Sequence, residues 1–277
     1  VKKYQIVSVC NQYQIFNYLI NSDGSIDVDG DVDLRYEKLL TLPLTFNKVS
    51  GNFICNGNIL TNLFGAPRIV GGNFYASYNK LTSLEGGPIT VGGGFYCYDN
   101  YVTSLKGFPD TIGGSFDINS NNLTSLVGAP RTVTGDFTCF DNKLTSLEGS
   151  PVSVGGDFSC SHNEITSLVG APDTIGGSFL CIKNRIITLD GSPSTVGESF
   201  YCHGNGIIST YSGNVDIEFN GEFNCREHNL PQLIIDNIEN IKLILKYQRH
   251  FEIWNVDLSL NDVNFQVLLD EIKDGLE

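Results

Sequence analysis

Nowhere in this chain do apolar residues run on for the ~18 positions that a membrane-spanning helix needs. The opening stretch, Val1 to Asn11, holds too short an apolar run for a secretory signal, so a cytoplasmic location is expected. Basic residues are scarce: 17 Lys and Arg stand against 31 Asp and Glu, a formal charge of −14. Such a surface repels nucleic-acid phosphates and anionic membranes, and neither is expected as a partner. It suits a basic protein partner, or simply solubility. Eight cysteines are present without any Cys-x-x-Cys spacing, the usual signature of a structural zinc site. A G-x-S-x-G elbow and a phosphate-binding P-loop are also missing. His162, His203, His228 and His250 share no spacing with a nucleophile and a carboxylate. No catalytic residue, metal or cofactor is therefore expected, and the chain reads as non-enzymatic.

What is present is a period. Phenylalanine recurs every 21 residues at Phe53, Phe74, Phe95, Phe116, Phe137, Phe158, Phe179 and Phe200. Leucine keeps the same step from Leu42 to Leu189, asparagine from Asn58 to Asn205, and proline from Pro67 through Pro109 to Pro193. The unit reads L-T-S-L-x-G-x-P-x-T-V-G-G-x-F-x-C-x-x-N-x, as in Leu144 to Glu164. Thirty glycines, 17 phenylalanines and no methionine fit a chain made by copying that unit.

Each repeated residue has a physical task. A short strand around F-x-C sends Phe and Cys inward, because alternate residues of a strand face one side. Val or Ile four positions before Phe, and Leu after Asn, fill the rest of a narrow core. The Gly-Gly pair is expected to make a tight bend at positive φ. Proline stiffens the outer return, where no ladder N–H is lost. The asparagines are expected to hydrogen-bond backbone groups at the turn leaving the strand. Seven cysteines (Cys55, Cys97, Cys139, Cys160, Cys181, Cys202 and Cys225) take the inward place after Phe, which Ala76 and Ile118 fill elsewhere. They are expected to be buried free thiols serving as small apolar fillers.

The ends break the pattern. Val28, Gly30, Val32 and Leu34 match the Val, Gly, Phe and Cys places, and Asp27, Asp29, Asp31 and Asp33 alternate with them. That predicts a cap strand whose charged face blunts the sheet edge. A calcium loop fails on register, since Gly30 at position six puts Ser25 first and Tyr36 last. A degenerate ninth coil carries Gly221, Phe223 and Cys225 after a two-residue insertion, with His228 in the Asn place. After Pro231, the spacing of Ile234, Ile238, Ile241 and Leu245 predicts a helix. A second helix is expected from a capping box at Ser259 and Asp262, with Phe265, Leu268, Leu269 and Ile272 on one face. The organisation read from the sequence is an N-terminal segment and acidic cap strand over 1–38, eight repeats over 39–206, a degenerate ninth over 207–229 and a helical cap over 230–277.

The centre of the unit resembles the leucine-rich-repeat signature, with Val, Phe, Cys, Asn and Leu or Ile in the marked places. Its short period and L-T-S-L segment are similar to the repeats of bacterial effector proteins. The words Asp23 to Leu34, Val49-Ser-Gly-Asn-Phe53 and Leu-Thr-Ser-Leu-x-Gly-x-Pro are similar to leucine-rich-repeat proteins of tailed bacteriophages, over about residues 15 to 275. The resemblance implies a leucine-rich-repeat solenoid, the horseshoe of that family: mainly β with irregular returns, a parallel concave sheet and a short helical C-terminal cap. Nine coils at the ~4.8 Å strand spacing would make a sheet of roughly 40 Å. The resemblance also implies a setting, the infected bacterial host, where host takeover or suppression of a defence system is the expected task. The tail is expected to cover the last coil rather than to form the separate ligase domain that some effectors carry.

Function is expected where the copies differ. The outward places flanking Phe and Cys carry aromatic and apolar residues in two stretches, Tyr75, Tyr96 and Tyr98, and then Leu180, Ile182 and Tyr201 beside His203, with Phe140 between them. Stacked exposed aromatics on a rigid sheet are interface anchors. These eight residues are the expected contact surface for a protein partner of the bacterial host. Two rivals stay open: a structural or virion-associated repeat protein, and an acidic mimic of nucleic acid.

Overall fold

The protein, seen here as a computed structural model, is described over residues 2–106, 108, 111–213, 216–225 and 229–276. It forms two compact units, Val1–Lys143 and Leu144–Glu277. Each is a run of stacked coils of parallel β-solenoid, of the leucine-rich-repeat type that the unit sequence implies.

In the first unit the phenylalanine strands stack in parallel: Val32–Asp33, Phe53–Ile54, Phe74–Tyr75, Phe95–Tyr96, Phe116–Asp117 and Phe137–Thr138. Equivalent residues sit side by side, Val32 on Phe53, Phe53 on Phe74, Phe74 on Phe95, Phe95 on Phe116 and Phe116 on Phe137. The rings follow the strand spacing, with centroids 5.6 Å apart for Phe53 and Phe74, 5.1 Å for Phe74 and Phe95 and 5.6 Å for Phe95 and Phe116. Every one of these rings is sealed from solvent. Such a stack can exist only where each coil has a neighbour, which is why a single repeat cannot fold alone.

A second ladder, not foreseen in the sequence, runs through the Thr-Val words. Ile26–Val28, Phe46–Val49, Ile69–Val70 and Thr90–Val91 pair in parallel, and Thr111–Ile112 pairs with Thr132–Val133. These β-branched pairs suit a pleated, half-buried surface, with Val inward and its neighbour outward. The returns between the ladders are irregular, as expected.

The Gly-Gly pair corrects one expectation. None of its glycines has positive φ; that conformation belongs to the glycine of L-x-G, as at Gly86 with φ 83°. The pair is glycine because coils touch there: a Cβ on Gly92 would collide with the Gly71 carbonyl oxygen. Close backbone approach, not backbone handedness, excludes a side chain.

Before the acidic strand lies helix α1, Lys3–Gln12, which the sequence reading left unassigned and which buries Ile6 and Cys10. Tyr18–Ile20 then pairs antiparallel with Ile26–Val28. The single cap strand expected over Val28 to Leu34 is divided at Gly30, φ 127°: Ile26–Val28 pairs with Phe46–Val49, and Val32–Asp33 with Phe53–Ile54. Three of the four alternating aspartates turn to the next coil, Asp27 accepting from Asn47 Nδ2 at 2.7 Å, Asp29 from Ser50 Oγ at 2.8 Å and Asp31 from the Asn52 N–H at 2.6 Å, while Asp33 pairs with Arg35 at 2.6 Å.

The second unit repeats the two ladders through Phe158–Ser159, Phe179–Leu180, Phe200–Tyr201 and Phe223–Asn224, and through Ser153–Val154, Thr174–Ile175, Thr195–Val196 and Glu218–Phe219. Phe200 pairs with Phe223, so the two-residue insertion is absorbed without loss of register. His228 lies outside the described residues.

The C-terminal cap departs from its expected form. The single helix after Pro231 is broken into α2 (Gln232–Ile235), a 3₁₀ turn (Ile238–Asn240) and α3 (Ile241–Tyr247). The break turns Ile238 outward while Ile234, Ile241 and Leu245 stay buried. Helix α3 packs on Glu218–Phe219, where Lys242 Nζ lies 5.2 Å from the Phe219 ring and donates to the Asn220 carbonyl at 2.8 Å. Helix α4 (Asp262–Lys273) buries Phe265, Leu268 and Leu269, while Ile272 is half-buried. Its cap is Asn261, which accepts from the Asn264 N–H at 3.1 Å; Ser259 instead donates to Asp257 Oδ1 at 2.6 Å. A buried polar knot joins the cap to the last coil, with Gln248 accepting from Thr210 Oγ1 at 2.9 Å and Trp254 Nε1 at 3.0 Å, and donating to Ser212 Oγ at 2.9 Å.

Candidate functional site

The scaffold behind the outward residues is held by two side-chain ladders. The first is the expected asparagine ladder. Asn121 Nδ2 donates to Cys97 O at 3.0 Å, Ile118 O at 3.2 Å and Asn119 O at 3.0 Å, while its Oδ1 accepts from the Val102 N–H at 2.8 Å. Asn79, Asn100 and Asn142 repeat this pattern in the first unit, and Asn184 and Asn205 repeat its core in the second. Each amide thus joins its own turn to the coil before it. The residue just before each Asn is left-handed, with φ 57° at Tyr78, 52° at Asp99, 54° at His162 and 51° at Lys183. The amide bonds hold these side chains in a conformation that bulky residues rarely adopt.

The second ladder stands just before Phe and escaped the sequence reading. Asp31 accepts from Asn52 N, Asn52 Oδ1 from Asn73 N at 2.8 Å, and Asn73 Oδ1 from Gly94 N at 2.6 Å. It resumes at Ser115, whose Oγ accepts from Asp136 N at 3.1 Å. Gly94 is the gap, since it has no side chain to offer. A Cβ there would lie 2.7 Å from the Tyr96 ring, so the missing side chain makes room for that tyrosine. The readable signal was a small polar acceptor before most of the phenylalanines, interrupted once.

On the first unit's outward face, Tyr75 and Tyr96 stack with ring centroids 4.9 Å apart and 9° between planes. Asn73 Nδ2 donates to Tyr75 Oη at 3.1 Å. Tyr98 meets Tyr78 edge to face at 5.1 Å. All three expected tyrosines are half-buried, because neighbouring coils cover their flanks, and Tyr78 is exposed. The structure brings Tyr75 and Tyr96 onto adjacent strands, with Tyr98 just beyond the second. Phe140 lies two coils beyond Tyr98, half-buried, with Asn119 between them.

Asp117 stands beside this group and was not singled out from the sequence. Its strand pairs it with Tyr96 on one side and Thr138 on the other. Oδ1 accepts from the Asn119 N–H at 3.1 Å and from Asn119 Nδ2 at 2.7 Å. No cation pairs with it among the described residues. Desolvation pushes its carboxyl up to about 6, opposed by the Asn119 bonds and reinforced by the Asp99 charge. The Tyr96 and Tyr98 hydroxyls are also raised, first by desolvation and then by neighbouring tyrosines and Asp117.

In the second unit, Leu180 pairs with Tyr201 in register and both are half-buried. Ile182 and His203 follow two residues beyond in the same two coils, also half-buried. His203 Nδ1 is sealed from solvent without a hydrogen-bond partner.

The remaining chemistry is spent on packing. All eight cysteines are buried and none is joined in a disulfide. Burial pushes the Cys55 thiol up to about 12 and raises Cys97, Cys160, Cys181 and Cys202 as well, which suppresses the nucleophilic thiolate. Among the described residues no group of three or more His, Cys, Asp or Glu is arranged to hold a metal ion. No helix among them is long and apolar enough to cross a membrane.

No family model and no curated protein matches the chain. Among solved structures it is similar to YopM from Yersinia enterocolitica WA-314, at 18% identity and a TM-score of 0.48, over 72% of this chain and 52% of that one. The chain thus spans about half the length of YopM. The solenoid assignment stands on the ladders themselves. Solenoids of this type are typically binding scaffolds, because stacked strands offer an extended rigid surface.

Proposed function

We propose that this chain is a non-enzymatic protein-binding module that engages a bacterial host protein through the outward strand faces of its repeats. The contact residues are Tyr75, Tyr96, Tyr98 and Phe140 in the first unit and Leu180, Ile182, Tyr201 and His203 in the second. One observation carries the reading: the Tyr75 and Tyr96 rings, stacked at 4.9 Å beside Tyr98, offer aromatic surface already held rigid. Ordering such groups beforehand lowers the entropy cost of association. The phage words in the sequence support a phage-encoded factor acting in the cytoplasm of an infected cell, where it occupies and inhibits a defence or regulatory protein. Its acidic balance favours a protein over nucleic acid or membrane.

The test is capture from a bacterial lysate on the immobilised chain, followed by mass spectrometry. Tyr96→Ala combined with Tyr98→Ala should abolish retention of the captured protein while shifting the unfolding midpoint only by the small cross-strand loss. Retention by the double variant would overturn the reading. Co-purification with virus particles would favour a structural role instead. Binding that falls steeply with salt yet tolerates loss of the tyrosines would favour a nucleic-acid mimic.

A further inference from the structure

We propose that Tyr96, Tyr98 and Asp117 form a subsite for an arginine side chain of the protein partner. This rests on the binding reading above and adds the chemistry of what is bound. Asp117 lies in the register position next to Tyr96, and its charge is felt at both tyrosine hydroxyls. One carboxylate oxygen is tied to Asn119, while Oδ2 has no partner among the described residues and is not sealed from solvent. An acceptor is therefore left free at the edge of an aromatic surface. Tyr75 stacks on Tyr96 and Tyr78 on Tyr98, so both rings are fixed before a ligand arrives.

A cation satisfies every part of this arrangement. It would lie against ring faces that attract positive charge and would neutralise a carboxylate that has no ion-pair partner. Desolvation already disfavours the Asp117 charge, and an arriving cation would relieve that cost. Guanidinium fits better than ammonium, because it is planar, stacks on tyrosine and sheds water more readily. The chain's charge of −14 draws basic partners toward this face over a longer range.

The probe is Nα-acetylated arginine amide, with Nα-acetylated citrulline amide as its neutral counterpart of similar shape. Ring resonances of tyrosine-labelled full-length protein are followed, with Tyr96 and Tyr98 assigned through Tyr→Phe variants. Arginine amide should shift both ring signals saturably, citrulline amide should not, and Asp117→Asn should weaken the response about five- to tenfold. Glu148→Gln on an exposed return serves as a charge-matched control and should change nothing. Equal shifts with both amides, or a response unchanged in Asp117→Asn, would overturn the subsite. If lysate capture needs the tyrosines but survives Asp117→Asn undiminished, the arginine subsite falls while the protein-binding reading stands. If capture ignores the tyrosines while arginine amide still shifts them, the reverse holds.

Discussion

On the inward side of Phe116–Asp117, the Phe116 ring is packed between Phe95 and Phe137, 5.6 and 5.3 Å away by ring centroid. On the outward side of the same two residues, Asp117 holds a half-buried carboxylate with one oxygen unpartnered. The inward row repeats coil after coil, because any change of shape there would be felt by the rings above and below. The outward row reads Ile54, Tyr75, Tyr96, Asp117 and Thr138, passing from aliphatic to aromatic to charged to hydroxyl. Stability is thus carried by the inward face of the strand, and the proposed recognition is left to the outward one. An outward residue is free to be poor for stability, and Asp117 is.

Phe116→Ala should open the largest gap between the faces. It removes a fully buried ring from a stack with neighbours on both sides, for about 3–5 kcal/mol of destabilisation read as a fall in the urea midpoint. Asn121→Ala comes next. It strands the Val102 N–H and the carbonyls that Asn121 Nδ2 satisfies, at about 1–3 kcal/mol per buried group left without a partner. Coupling between coils should make local proteolysis near residues 97–121 rise as well.

Asp117 sharpens the comparison through pH. Its carboxyl titrates near 6 in the folded chain, against an ordinary value of 3.8. A carboxyl raised on folding binds more protons in the folded state, so stability falls as pH rises from about 4 to about 6 and is level above that. The span is on the order of 2–3 kcal/mol for a shift of this size. The groups around it are Tyr96 and Tyr98 on one side, Thr138 on the other, Asp99 near by, and Asn119 two residues on in its own coil. Asp117→Asn should flatten this part of the pH profile and raise the midpoint at pH 7, measured by thermal unfolding across pH 4–7. An unchanged profile would mean that the carboxylate is well hydrated.

The smallest effect on stability belongs to Tyr96→Ala with Tyr98→Ala, which leaves the inward stack intact. A loss of under about 1 kcal/mol per ring is expected, from cross-strand contacts alone.

The inward face was legible in the sequence because it repeats. Phe, Cys, Leu and Asn at a fixed step named the core, the ladder and the coil length, and the structure places each where its spacing required. What was missed lacks that redundancy. The Thr-Val strands are two residues long, too short for alternation to be read. Helix α1 occurs once, so no second copy marks it. The role of Gly-Gly was mistaken because the same residue serves a left-handed turn or a close approach, and only the neighbouring Gly71 carbonyl decides between them. The tyrosines could be named from their outward places. The space beneath Tyr96 rests on Gly94, the one break in an otherwise polar row, and the charge of Asp117 beside it comes from a residue one coil away, 21 positions distant in the chain.

The most direct test pairs two readings on the Tyr96→Ala, Tyr98→Ala protein: retention of the captured host protein and the urea midpoint, each against the unaltered chain. Retention should be lost with the midpoint shifted by no more than the small cross-strand term. Retention undiminished in a folded double variant, or lost only together with the fold, would contradict the division of the strand into a face that holds and a face that binds.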